Sequence, residues 1–254
     1  DDYLLEGVNE VVRVVTEFCK VPKVHLVGYC IGGTLVSTYM AWANKHFGAD
    51  KVPVAHWTLF TTLTDFAHPG DIDVFIDEAC IGALEESMAK KGYLDGNEMA
   101  SSFRLLRSNS LIWNYWVNNY LIGNKPPAYD ILAWNADTTR LPGQYHCDLL
   151  DMVEKNPYVN AGALEVLGVP IDMAQIKLGA YVIAGITDHI TPWRACYGTA
   201  RLFGPKTMFV LVNAGHLQSM INPPGSPKTF YFASPAATDD PMTWAEGAQP
   251  TRQE

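Results

Sequence analysis

A cysteine set among glycines, an aspartate and a histidine stand in that order along the chain, and each follows a short apolar run. Cys30 lies in Val24-His-Leu-Val-Gly-Tyr-Cys-Ile-Gly-Gly33, which reads as a buried strand entering a sharp turn with Gly28, Gly32 and Gly33 around the thiol. Such a turn strains the backbone of its central residue, and side chains two positions to either side would clash, so glycine at Gly28 and Gly32 is expected to clear the space. The thiol would also stand at the start of a helix over 34–42, where free N–H groups and the helix dipole favour a thiolate. A nucleophile elbow of this kind acts with an acid and then a histidine further along the chain. Asp188 follows the run Leu178-Gly-Ala-Tyr-Val-Ile-Ala-Gly185, and His216 follows the run 207–212. In an open α/β sheet the loops beyond the strand ends converge on one edge. Cys30, Asp188 and His216 therefore read as nucleophile, orienting acid and base.

His189 competes with His216 for the role of base. Neighbouring residues after a strand point apart, so a base on the next loop is better placed to reach both acid and thiol. His25 and His56 fall within strands and read as core or sheet-face residues, and His46, His68 and His146 have no visible partners. The fold class expected is α/β with a mostly parallel sheet. An amphipathic helix over 2–20 precedes the elbow strand, and a second strand over 54–59 follows the helix after it. More than a hundred residues then separate that strand from the one at 181–185, far beyond an ordinary crossover. The expected organisation is a core of residues 1–62 and 177–254 with an inserted cap over about 63–176. Helical patterns run over 77–91 and 96–107, then an aromatic stretch Leu111-Ile-Trp-Asn-Tyr-Trp-Val-Asn-Asn-Tyr120, in which Trp113, Tyr115 and Trp116 read as packed core.

Six stretches together resemble the catalytic domain of a polyhydroxyalkanoate synthase. They are the elbow Gly28-Tyr-Cys-Ile-Gly-Gly-Thr34, Thr61-Thr-Leu-Thr-Asp-Phe66, Asp73-Val-Phe-Ile-Asp-Glu78, Trp134-Asn-Ala-Asp-Thr-Thr-Arg-Leu-Pro-Gly143, Thr187-Asp-His-Ile-Thr-Pro-Trp193 and Gly215-His216. The resemblance implies an α/β-hydrolase fold and an acyltransferase that polymerises (R)-3-hydroxyacyl-coenzyme A, with short acyl units such as 3-hydroxybutyryl indicated by the elbow phrase and the Asp73 run. Cys30 would carry the growing chain as a thioester while coenzyme A leaves, and His216 would be the general base. Asp188 would orient or deprotonate the 3-hydroxyl of the incoming monomer, and Ile31 would lend its backbone N–H to the oxyanion hole. The resemblance further implies a homodimer, a cap at or near the dimer contact, and a cytoplasmic protein on polyester granules. Coenzyme A is then part of the substrate and leaving group, and no cofactor is expected.

The composition fits these expectations. With 254 residues, 48% of them apolar, the chain can bury a full α/β core, and no run reaches the roughly 18 apolar residues of a membrane span. A net charge of −9 argues against nucleic acid as a partner. Local cations must offset the anionic coenzyme A, and Arg194 is a candidate. Five cysteines without paired spacing suit a reducing compartment; Cys19, Cys80, Cys147 and Cys196 read as small buried hydrophobes, and no His or Cys pair has metal-ligand spacing. The segment from Asn222 onward, rich in Pro, Ser, Thr and Asp, reads as a surface loop with a short element over 241–247. Compared with a complete α/β-hydrolase, strands and an oxyanion donor upstream of the elbow are expected to be missing, as is part of the C-terminus. A cysteine-type hydrolase of the dienelactone kind and an inactive granule-binding fragment are the alternatives.

Overall fold

A computed structural model describes residues 1–223, 225 and 228–252. The chain divides into two compact units, residues 1–70 with 155–254, and residues 71–154. The first unit is built on a six-stranded sheet whose spatial order follows the sequence: β1 (Val24–Tyr29), β2 (Val54–Phe60), β3 (Tyr181–Gly185), β4 (Met208–Val212), β5 (Phe230–Pro235) and β6 (Pro250–Arg252). β1 to β4 run parallel and β5 and β6 antiparallel. Four parallel strands in a row carry their C-terminal ends to the same edge.

The strands earn their burial differently. Val182, Ala184, Phe209 and Leu211 in β3 and β4 are almost wholly enclosed, as near-continuous apolar runs in a parallel sheet require. β1 is not the buried strand that its apolar sequence suggested. It lies at the edge of the sheet, His25 is exposed and Val27 is 63% exposed. Of the two readings of His25 and His56, core or sheet face, the sheet face holds; they are exposed, lie opposite each other across the β1–β2 ladder and meet edge to face with ring centres 5.0 Å apart.

Helix α1 (Glu10–Cys19) continues π-helical turns over Tyr3–Asn9 and ends at Lys20, whose φ of 54° closes the helix. Helix α2 (Ile31–His46) packs on β1, and α3 (Trp193–Leu202) on β3 and β4. An aromatic cluster of Tyr197, Phe209 and Trp244 joins α3, β4 and the short helix Pro241–Gly247, with ring centres 4.9 to 5.6 Å apart. The segment after Asn222 is thus more than a loop, because Phe230-Tyr-Phe-Ala-Ser-Pro235 carries enough aromatic surface to add β5 to the sheet. Residues 224, 226, 227, 253 and 254 of that segment lie outside the described residues.

In the second unit, Asp77 caps the helix Glu78–Lys91 through the backbone N–H groups of Ala79 and Cys80, and Gly92 ends it with φ of 81°. Asp95 and Glu98 form a reciprocal capping box at the start of the helix Gly96–Leu106. Ile81, Met88, Leu94 and Leu150 form its small core. Trp113 and Trp116 are about half exposed and are not the packed core expected of them; the i,i+4 spacing instead stacks Trp116 on Tyr120 with centroids 4.5 Å apart. Cys19 and Cys80 are exposed and Cys147 is partly buried, so among the four remaining cysteines only Cys196 is the buried hydrophobe expected. No helix among the described residues is long and apolar enough to cross a membrane.

The glycines of the elbow differ in what they make possible. A Cβ on Gly28 would stand 2.5 Å from the Gly33 Cα, and one on Gly33 would run into the Thr62 side chain. A Cβ on Gly32 would meet nothing within 4 Å, which corrects the expectation that Gly32 clears the turn; the crowded partner is the next residue, facing the sheet. Accordingly, Gly28→Ala and Gly33→Ala should each lower the unfolding free energy by about 1–3 kcal/mol. Gly32→Ala should change it by less than about 0.5 kcal/mol. Urea denaturation of the three variants is the check, and equal losses at Gly28 and Gly32 would refute this account of the turn.

Candidate active site

The strand-to-helix turn holds Cys30 at φ 51° and ψ −125°. Its amide donates to the Phe60 carbonyl, so the β1–β2 ladder extends to the nucleophile position itself. Its carbonyl accepts from the Gly33 amide at 2.9 Å and from the Thr62 hydroxyl at 3.3 Å. Cys30 is partly buried, immediately ahead of α2, and the Ile31 N–H is the first of the helix amides that have no intrahelical acceptor.

Asp188 stands three residues past the end of β3, with its amide bonded back to the Gly185 carbonyl at 3.2 Å. The Asp188 loop is stitched to the end of β4 and the loop after it: the Ile186 amide bonds the carbonyl of Val212, the last residue of β4, and the Thr187 amide bonds the Ala214 carbonyl. A Cβ at Gly185 would collide with the Ala214 carbonyl oxygen, so glycine permits this close approach. On that second loop, His216 Nδ1 lies 2.7 Å from Asp188 Oδ2. The other carboxylate oxygen accepts the backbone N–H groups of Ile190 at 2.9 Å and Thr191 at 3.0 Å. The Thr191 hydroxyl adds a fourth bond, to Oδ2, at 2.7 Å.

The electrostatics follow from these contacts. Burial by itself would lower the His216 pKa, but the hydrogen bonds to Asp188 and to Cys30, with the charges of both, outweigh it and push it up to about 9. For Asp188, burial works to raise the value, yet the bonds from His216 and Thr191 prevail and hold the carboxyl below its ordinary value. The Tyr29 ring lies 5.2 Å from that of His216, and burial raises its hydroxyl. The Cys196 thiol, by contrast, is enclosed and pushed up by burial, and it bonds the Thr191 carbonyl at 3.6 Å.

The structure therefore brings Asp188 and His216 into contact, with Cys30 among the groups that raise the proton affinity of His216. An imidazole with raised proton affinity beside a thiol can take up the thiol proton, which is the requirement for a sulfur nucleophile. His189 is half-buried, and Arg194 is exposed, with its guanidinium 4.9 Å from the Trp193 ring centre. His146 is buried in the second unit. Among the described residues no group of three His, Cys, Asp or Glu side chains could hold a metal ion. Sequence reasoning missed Thr191 and Tyr29. The Asp-x-x-Thr spacing of Asp188 and Thr191, the pattern by which a carboxylate collects local amides, was the available signal for the first.

Fold and site together define the class. Residues 1–223 match the family model described as the alpha/beta hydrolase fold, and the chain belongs to that family. Within it, the chain is similar to polymerases of 3-hydroxyalkanoates. It is 43% identical to poly(3-hydroxyalkanoate) polymerase 1 of Ectopseudomonas oleovorans over 96% of this chain and 43% of that protein. It is 38% identical to the poly(3-hydroxyalkanoate) polymerase subunit PhaC of Cupriavidus necator over 98% of this chain and 43% of that protein. The chain thus spans about two-fifths of the length of these curated relatives. A monoacylglycerol lipase from Paleococcus ferrophilus is a structural neighbour with TM-score 0.41 and 15% identity, over 83% of this chain and 66% of that one.

A pKa raised on folding stabilises the protein fully below the unfolded value and loses that contribution as pH climbs through the folded one. For His216 the window runs from the ordinary 6.5 to about 9. Wild type and His216→Asn unfolded in urea across this range should therefore differ most at the acid end, with the gap closing toward the alkaline end. A gap that stays constant with pH would contradict the contacts assigned to His216.

Proposed function

We propose that this chain is the catalytic part of an acyltransferase that builds polyester from (R)-3-hydroxyacyl-coenzyme A through a thioester on Cys30. The observation that carries the reading is an elbow cysteine held at positive φ together with an Asp188–His216 pair bonded at 2.7 Å, in a chain 43% identical along 96% of its length to a named poly(3-hydroxyalkanoate) polymerase. The Cys30 proton passes to His216 and the sulfur attacks the thioester carbonyl carbon. Ile31 N–H steadies the oxyanion. The carbon–sulfur bond to coenzyme A then breaks, and the proton returns to the departing thiolate. Exchange of one thioester for another is nearly balanced in energy, so the acyl group stays activated. In elongation a 3-hydroxyl gives its proton to His216, its oxygen attacks the carbonyl, an oxygen ester forms and the thiol is released.

Asp188 has two readings. The resemblance implied action on the incoming hydroxyl, but its side chain is fully enclosed and its two oxygens already receive four hydrogen bonds. The contacts support a carboxylate that works through His216. The sequence resemblance also extends the proposal to short acyl units, a homodimer and a granule-bound location in the cytoplasm. The exposed aromatic stretch with Trp113, Trp116 and Tyr120 is compatible with an apolar neighbour.

Intact-protein mass spectrometry after incubation with 3-hydroxybutyryl-coenzyme A, and in parallel with a longer 3-hydroxyacyl-coenzyme A, tests the reading. A ladder of added 3-hydroxyacyl units is expected in wild type and none in Cys30→Ala. A single adduct that decays would instead indicate a cysteine-type hydrolase, and coenzyme A release by Cys30→Ala would overturn the nucleophile. Asp188→Asn provides a sharper test. The amides of Ile190 and Thr191 pin an acceptor at one carboxamide position, so the NH₂ group must face His216 Nδ1 and impose the wrong tautomer. Loss on the order of 10³–10⁴-fold is expected in acylation and elongation alike; acylation at full rate with elongation lost would assign Asp188 to the hydroxyl.

A further inference from the structure

We infer that Thr191 is a positioning residue whose hydroxyl fixes His216 as the Nδ1–H tautomer and leaves Nε2 with its lone pair for the Cys30 proton. The inference rests on the triad reading above. The Thr191 Oγ1 lies 2.7 Å from Asp188 Oδ2 and 3.2 Å from His216 Nδ1. A hydroxyl has a single hydrogen, and the ionised carboxylate can only accept, so that hydrogen goes to Oδ2. The oxygen therefore turns lone-pair density toward Nδ1. Nδ1 then faces two acceptors, Oδ2 at 2.7 Å and Oγ1 at 3.2 Å, and a lone pair there would be repelled by both.

The same residue grips both carboxylate oxygens, one through its hydroxyl and the other through its backbone N–H. Its own carbonyl is held by the Cys196 thiol from the first turn of α3. Thr191 is 5% exposed, and the Asp188 side chain is fully enclosed, so water does not offer a replacement donor. In a site of low local dielectric a missing hydrogen bond to a charged group is felt strongly.

The test compares Thr191→Val, which keeps the shape and drops the hydroxyl, with Thr191→Ser, which keeps the hydroxyl. The probe is iodoacetamide, read by mass spectrometry on the Cys30 peptide because Cys19 and Cys80 are also exposed. Thr191→Val should slow Cys30 alkylation about tenfold, and Thr191→Ser should restore it. Nitrogen-15 NMR of His216, recorded above pH 9, should find the Nδ1–H form in wild type and in the Ser variant, and a mixture in the Val variant. The Nε2–H form in wild type would overturn the inference without any variant. So would a wild-type rate and tautomer in Thr191→Val, or a Ser variant as slow as Val. Alkylation that is indifferent to His216→Asn would refute the triad reading itself, whereas a slow His216→Asn with an unaffected Thr191→Val would refute the role of Thr191 alone.

Discussion

Cys30 is held at a positive φ that costs a residue with a side chain on the order of 1–3 kcal/mol, and the neighbouring structure is arranged to impose it. Its amide is tied to β2, its carbonyl is tied to both α2 and Thr62, and the two crowded glycines let strand and helix meet at the distance these bonds demand. Burial of Val182, Phe209 and Leu211 deeper in the sheet keeps that frame rigid. The core stabilises the fold, and part of that stability is spent on presenting one thiol at the sheet edge.

The acid and base are positioned by a different device. The loops after β3 and β4 share backbone hydrogen bonds, so Asp188 and His216 are joined by main chain before their side chains meet. An enclosed carboxylate would ordinarily be costly. Here its charge is distributed over two amides, a hydroxyl and an imidazole, which is why the hydrogen bonds outweigh burial and hold its pKa down.

Much of this arrangement was legible in the sequence because it is local. Chain order, apolar runs and the residues that follow them carried Cys30, Asp188 and His216, and the glycine-flanked cysteine marked the elbow. What failed depended on neighbours distant in sequence. Gly32 and Gly33 are indistinguishable until Thr62 arrives from the next strand loop. Cys19, Cys80 and the tryptophans at 113 and 116 have side chains that favour burial, yet they fall on helix faces with little packed against them. In the stretch after Asn222, turn-forming composition masked a strand that needed β4 as its template.

The enclosure of Cys196 bears on oxidative damage. Its thiol is buried and pushed up by burial, so it stays protonated and inert, whereas Cys30 is only partly buried. An oxidant therefore meets the elbow before it meets the core, and the thiol at the sheet edge is consumed while the fold survives.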